Sequence, residues 1–294
     1  MARGDLTDAE WAILEPLLPA PKPGRGGRWG DRRRVINGIL WRMRTGAPWR
    51  DVPERYGPWK TCYERYRRWA ADGTWARLKR QVQGRAEAEG DIDWNAQVDS
   101  TIVRAHQHAA GARKGGAEPG GIAGSPGPWR SRGGLTSKIH TIGEGRGRSL
   151  ATRVTPGQAA DTKQLESLLE DIAVPRPGKA GRPRKRPDSL TGDKAYGSKA
   201  NRALLRSKKI KAVIPERRDQ VSNRLRKGSN GGRPPSFDST RYRQRNQVER
   251  GFNRRKQFRA VATRYDKLGS HWQATNDLIE IIDWIRATPD KTRS

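Results

Sequence analysis

The chain has 294 residues and sets 61 lysines and arginines against 31 acids, a net charge of +30, so a polyanion is the expected partner and nucleic acid the first candidate. No run of roughly 18 apolar residues is present and no long basic amphipathic helix leads the chain, which sets aside a membrane partner. The single cysteine, Cys62, excludes an internal disulfide and a cysteine-based zinc site. The opening MARGDLTDAEW lacks the apolar stretch of a signal peptide, so the expectation is a cytoplasmic bacterial protein.

Hydrophobic residues are 33% of the chain, a low share, yet 11 tryptophans and several periodic apolar segments can still build cores. The length suggests two domains. In chain order, LTDAEWAILEPLLP opens with Thr7 as a cap and Glu10 three residues on, and sets Trp11, Leu14 and Leu18 on one helical face. After the Gly- and Arg-rich PKPGRGGRWG, the segment DRRRVINGILWRMRTG spaces Val35, Ile39 and Met43 by four and stops at Gly46. Next, APWRDVPERYGPWKTCYERYRRWAADGTWARL reads as a short helix, a Tyr-Gly-Pro turn and a helix. On that last helix Trp59, Tyr63, Tyr66 and Ala70 face inward, while Lys60, Arg67 and Arg68 face outward. The pattern fits a helix-turn-helix and equally a plain helical bundle with solvated arginines; the overall charge favours DNA.

From residue 91 the character changes. QVDSTIV, residues 97 to 103, alternates in the manner of a strand and places Asp99 at its centre. Residues 110 to 134 are Gly-rich and read as a mobile loop. SKIHTIGEG and RSLATRVTP read as a hairpin turning at Gly143 to Gly147. DTKQLESLLEDI reads as a helix capped by Asp161, with Leu165, Leu168 and Leu169 as its apolar face. The basic KAGRPRKRPD leads to a short strand ending at Gly192 and Asp193, then a helix from about Ser198 to Lys209 and a strand at KAVIPER. This order predicts an α/β fold, a mixed sheet flanked by helices.

The stretch RYRQRNQVERGFNRRKQ, residues 241 to 257, holds seven basic side chains around one acid, Glu249. If residues 240 to 258 are one helix, Tyr242, Arg245, Glu249 and Lys256 project from a single face. Taken alone, Glu249 is an ordinary partner for Arg245, a surface pair that contributes roughly 0.3 to 0.5 kcal/mol. One acid cannot balance seven bases, however, and Asp99 and Asp193 stand in or at the end of strands that disfavour aspartate. Two strand aspartates and a helix glutamate could together hold two Mg²⁺ ions against a phosphodiester, inside a positive surface that binds its backbone.

These residues resemble the DDE transposases of bacterial insertion sequences. GAPWRDVPERYGPWKTCYERYRRW, VDSTIVRAHQHAAGA, GGLTSKIH and GDKAY carry the likeness across nearly the whole chain. Its most specific part is the Tyr-x2-Arg-x3-Glu-x6-Lys signature, met by Tyr242, Arg245, Glu249 and Lys256. The resemblance implies a ribonuclease H-like catalytic domain at 89–294, preceded by a helix-turn-helix-like DNA-binding domain at 1–88. It also implies catalytic, metal-holding roles for Asp99, Asp193 and Glu249, with two Mg²⁺ ions per site and Mn²⁺ as a substitute. Lys60, Arg67, Arg68, Tyr242, Arg245 and Lys256 are expected to contact DNA, as terminal repeats and target, in a homodimeric complex at the bacterial nucleoid. The activity implied is hydrolysis at the ends of an insertion sequence, then attack of the freed 3′-hydroxyl on target DNA. A non-cutting repressor and a structure-specific nuclease are the alternatives.

Some relatives carry a large β insertion before the glutamate helix; residues 217 to 238 are too few for one, and none is expected. Asp91, Asp93, Asp171 and Asp188 read as structural. His106 and His108 alternate on one side of the chain after Asp99 and are expected near DNA rather than on a metal. Arg182 and Arg233, each in a Gly-Arg-Pro tripeptide, read as parts of basic loops.

Overall fold

The structure, a computed structural model, describes residues 3–20, 31–109, 129–131, 134–178 and 181–286. Most of the Gly-rich loop, all of PKPGRGGRWG and the first two residues of KAGRPRKRPD lie outside the described residues.

Four helices lead the chain: α1 (Asp8–Leu14), α2 (Arg32–Thr45), α3 (Trp59–Ala71) and α4 (Thr74–Ala88). The expected capping box on α1 is present: Thr7 Oγ1 accepts the Glu10 N–H (3.2 Å) and Glu10 Oε2 accepts the Thr7 N–H (3.0 Å). Gly46, at φ +69°, ends α2 in the left-handed conformation that lacks a Cβ penalty only for glycine. The short helix expected before the Tyr-Gly-Pro turn is instead two 3₁₀ turns, Trp49–Asp51 and Glu54–Tyr56. Each is followed within two residues by a proline, Pro53 and Pro58, which turns the residue before it away from helical conformation, so neither has room to grow into a full helix.

Then follow β1 (Asn95–Ala105), β2 (Trp129–Ser131), β3 (Gly134–Gly143), β4 (Ser149–Pro156), α5 (Asp161–Asp171), β5 (Ser189–Thr191), α6 (Lys199–Ser207) and β6 (Lys211–Val213). β1 and β3 pair antiparallel, as do β3 and β4 through the predicted hairpin, while β5 and β6 continue from β1 in parallel. This β4-β3-β1-β5-β6 mixed sheet, with helices on both faces, is ribonuclease H-like. Asp161 does not cap α5. Ala160 holds the cap position, because the Asp161 carboxylate is drawn instead to Lys138 Nζ (3.0 Å) and the Ser100 hydroxyl (2.9 Å) on the sheet.

The last part holds α7 (Arg218–Arg226), α8 (Ser239–Arg243), α9 (Asn246–Lys256), α10 (Arg259–Ala262), β7 (Thr263–Arg264) and α11 (Gly269–Arg286). Residues 217 to 238 contain α7 and a 3₁₀ turn and no strand. The single helix expected over 240 to 258 is two, parted at Gln244 and Arg245. The sequence reading passed over α11, although its Leu278, Ile279, Ile281, Ile282 and Ile285 are all buried. Packed on α3, α4 and β4, this helix gives the N-terminal helices and the sheet one continuous core. Tyr66 of α3 donates its hydroxyl to the His271 carbonyl (2.6 Å). Lys79 of α4 pairs with Asp277 (2.7 Å) and Glu280 (2.9 Å). Among the described residues no helix is long and apolar enough to cross a membrane.

Candidate active site

Register brings the two aspartates together. Gln97 of β1 pairs in parallel with Thr191, the last residue of β5, so Asp99, two residues further along β1, lies near Asp193, two residues past the end of β5. By the two-residue alternation of a strand, Gln97, Asp99 and Thr101 share one face. Ser100 lies on the other, where it meets Asp161 of α5. The Gln97 face is covered by α9: the Val248 N–H donates to Gln97 Oε1 (3.0 Å) and Lys256 Nζ donates to the Thr101 hydroxyl (2.6 Å).

Each aspartate is held by backbone. Asp99 Oδ1 accepts the Ser100 N–H (2.8 Å), and Asp193 Oδ1 caps the 3₁₀ turn Lys194–Tyr196 by accepting the Ala195 N–H (2.8 Å). Burial first, then the nearby Asp193 and Glu249 charges, push the Asp99 carboxyl above its ordinary range, against the Ser100 amide and Arg245, which lower it. Tyr196 lies beneath the pair, its phenol pushed up by burial and by Asp161, Asp99 and Asp193. Its hydroxyl has no hydrogen-bond partner among the described residues.

Glu249, in the first turn of α9, is exposed and accepts a hydrogen bond from Arg245 Nη2 (2.9 Å). The surface pair is therefore real, and Glu249 also lies close enough to raise Asp99. Among the described residues no three His, Cys, Asp or Glu side chains converge as tightly as a metal site requires. Asp99 and Asp193 are together, with Glu249 beside them and turned to Arg245. Arg245 also stands over the Tyr242 ring (6.0 Å), which packs on Phe237 (5.3 Å). Burial lowers the Lys256 ammonium.

Lys60, Arg67 and Arg68 project from the exposed side of α3, opposite buried Cys62, Tyr66 and Trp69. His106 and His108 leave the sheet in a 3₁₀ turn, their rings 4.4 Å apart and His106 on Tyr265 (5.1 Å). The other acids are occupied elsewhere: Asp91 by Arg146 and Arg148, Asp171 by Arg153, Asp188 by Arg184, and Asp93 by Asn95. Arg182 and Arg233 are exposed. Sequence reasoning missed Gln97, which carries no charge and sits in a run where Asp99 draws the eye.

A ribonuclease H-like sheet that lifts acidic side chains under a basic helix defines an enzyme class that works on phosphodiesters. Residues 96–274, more than half the chain, match the family profile "Transposase DDE domain", and residues 6–79 match "Putative transposase of IS4/5 family". The chain belongs to the DDE transposases. It is 38% identical over 116 residues to the uncharacterized protein y4sN of Sinorhizobium fredii, covering 39% of this chain and 89% of that one. It is also 38% identical over 112 residues to an uncharacterized 16.2 kDa protein of insertion element IS402 of Burkholderia cepacia, covering 36% and 76%. A transposase-named relative, "Putative transposase for insertion sequence element IS6501" of Brucella ovis, is 25% identical over 152 residues, covering 52% and 100%.

Proposed function

We propose that this DNA transposase cuts the ends of an insertion sequence with Asp99, Asp193 and Glu249, and joins the freed 3′-hydroxyl to target DNA. The observation that carries this reading is the placement of Asp99 on β1 near Asp193, two residues past the end of its parallel neighbour β5, neither in an ion pair among the described residues, with Glu249 near enough to raise Asp99.

Hard oxygen donors gathered in this way suit Mg²⁺ or Mn²⁺, and a bound cation would offset the burial and the Asp193 and Glu249 charges that raise Asp99. Asp99, Asp193 and Glu249 would hold two such ions, whose chemistry there is Lewis acidity at the scissile phosphate. The chain's own residues bind and orient. Arg245 exchanges Glu249 for a phosphate oxygen, which frees the Glu249 carboxylate to turn toward Asp99. Lys256, at the far end of α9, adds a second cation over the same strand face. Tyr242 supports Arg245 from below. Lys60, Arg67 and Arg68 of α3 contact the duplex.

Residues 1–88 serve as the DNA-recognition unit and 89–294 as the catalytic unit, in a homodimer on bacterial nucleoid DNA. The substrate is a duplex copied from the DNA that flanks the reading frame, including any inverted repeat. With it, Asp99→Ala, Asp193→Ala and Glu249→Gln should each lower Mg²⁺-dependent cleavage by at least about 10³-fold while DNA affinity stays within about twofold, since many bases share the binding. Cleavage retained by any one of them removes that residue from the site. Joining to a second duplex distinguishes a transposase from a nuclease.

A further inference from the structure

We infer that Gln97 is a positioning residue that fixes the Glu249 helix over the Asp99 strand. The inference rests on the proposed role of Glu249. Gln97 is 2% exposed and lies two residues before Asp99, on the same face of β1. Its Oε1 accepts the Val248 N–H at 3.0 Å, across 151 residues of sequence. Val248 is the third residue of α9, and the first four amides of a helix have no partner inside it. The cap position of α9 is held by Arg245, which supplies no capping hydrogen bond. The strand thus provides the cap that the helix's own sequence omits, on the amide next to Glu249.

At the other end of α9, Lys256 Nζ donates to the Thr101 hydroxyl (2.6 Å). From Gln97 to Thr101 the strand advances about 13 Å, and from Val248 to Lys256 the helix advances about 12 Å. The matched spans lay the helix along the strand, pinned at both ends, with Asp99 between the strand pins and Glu249 one residue beyond the first helix pin. Sideways movement is closed by a glycine contact: a Cβ on Gly251 would overlap the Gly147 carbonyl oxygen, and a Cβ on Gly147 would overlap the Gln247 carbonyl oxygen. Without the Gln97 acceptor, the first turn of α9 keeps a buried, unsatisfied N–H and loses its tie to the strand that carries Asp99.

The test compares full-length wild type with Gln97→Leu, Gln97→Glu and Glu249→Gln. Three quantities are read: Mn²⁺-dependent cleavage of the flanking-sequence duplex, the Mn²⁺-induced rise in Tm without DNA, and affinity for the duplex without metal. Gln97→Leu is expected to lower cleavage about 10- to 100-fold, as a misplacement near 1 Å does. It should at least halve the Mn²⁺-induced shift and leave DNA affinity within about twofold. Gln97→Glu keeps the acceptor and points a negative charge at a helix N-terminus, which favours it, so its cleavage should stay within about threefold and its shift intact.

Wild-type cleavage and shift in Gln97→Leu overturn the inference, as does a loss in Gln97→Glu equal to that in Gln97→Leu. If Gln97→Leu does not fold, Gln97→Asn replaces it with the same expectations, its amide being one methylene too short to reach Val248. If Glu249→Gln itself keeps cleavage, the carboxylate reading fails and this inference with it. If only the Gln97 variants behave as wild type, this inference fails alone.

Discussion

Glu280→Gln should destabilise the whole protein far more than one charge removed from a helix surface does. Glu280 is fully buried on α11 and receives three donors: Lys79 Nζ of α4 (2.9 Å), Arg255 Nη1 of α9 (2.7 Å) and the Thr152 hydroxyl of β4 (2.5 Å). With Asp277, also on Lys79 (2.7 Å), the cluster balances two bases against two acids away from water. A glutamine of the same shape leaves one positive charge in excess, and breaking a buried pair in this way costs about 3 to 5 kcal/mol. At about 2.1 cal/mol/K per residue over this chain, 1 kcal/mol corresponds to about 1.6 °C, so the expected loss in Tm at pH 7 is about 5 to 8 °C. Differential scanning calorimetry without metal measures it, with Glu64→Gln as control, because Glu64 meets Lys60 only at 3.9 Å on the exposed face of α3 and its Tm should not move. The pH course adds a second check. Although burial raises the Glu280 carboxyl, Lys79 and Arg255 more than offset this and hold it low. Its contribution is therefore present above the unfolded value near 4.3 and is lost as pH falls through the lower folded value. The gap between wild type and variant should be constant above about pH 5 and close in stronger acid. A Tm loss under about 2 °C at pH 7 would refute the view that this cluster is a desolvated, charge-balanced unit.

Burial pushes the His140 imidazole down to about 4, with Asp161 of α5 raising it and Lys138 lowering it. A depressed histidine contributes stability that is present above its unfolded value near 6.5 and lost as pH falls toward the folded one, about 2 kcal/mol by pH 5. Urea midpoints should fall between pH 7 and pH 5 in wild type and much less in His140→Gln; equal slopes would mean His140 is not held neutral. Arg67→Ala with Arg68→Ala in the full chain should weaken duplex binding and reduce its dependence on log salt by about two phosphate contacts, seen by titration at several salt concentrations. An unchanged salt slope would remove α3 from the DNA surface.

The features legible in the sequence are those set by near neighbours. Thr7 and Glu10 form a capping box within one turn, Gly143 to Gly147 closes a hairpin, and alternation along QVDSTIV places Asp99 in β1. What was not legible depends on partners far away in the chain. No proline or glycine marks the break between α8 and α9; the first turn of α9 is instead tied to Gln97, 151 residues earlier. Asp161 has the spacing of a cap, but Ser100 and Lys138 claim its carboxylate. In NDLIEIIDWIR, which the sequence reading passed over, no near neighbour marks the acids Asp277 and Glu280 as interior; their partner Lys79 lies about 200 residues away.

The same long-range contacts explain how the two proposed units can act as one body. The outer face of α3 carries Lys60, Arg67 and Arg68, while Tyr66 on its inner face donates to the His271 carbonyl at the start of α11. Along α11, Glu280 receives Lys79 from α4 and Arg255 from α9, one turn after Gly251 and under two turns after Glu249. The path from the proposed DNA face to the proposed catalytic helix runs through packed helices and buried pairs. A flexible linker would let the bound duplex and the carboxylates drift independently, and the bound end would reach the site in many orientations. Here α11 fixes the spacing between α3 and α9, so a duplex held by α3, as proposed, would present its backbone at a constant distance from Asp99. That constancy is what a reaction governed by positioning and electrostatics requires.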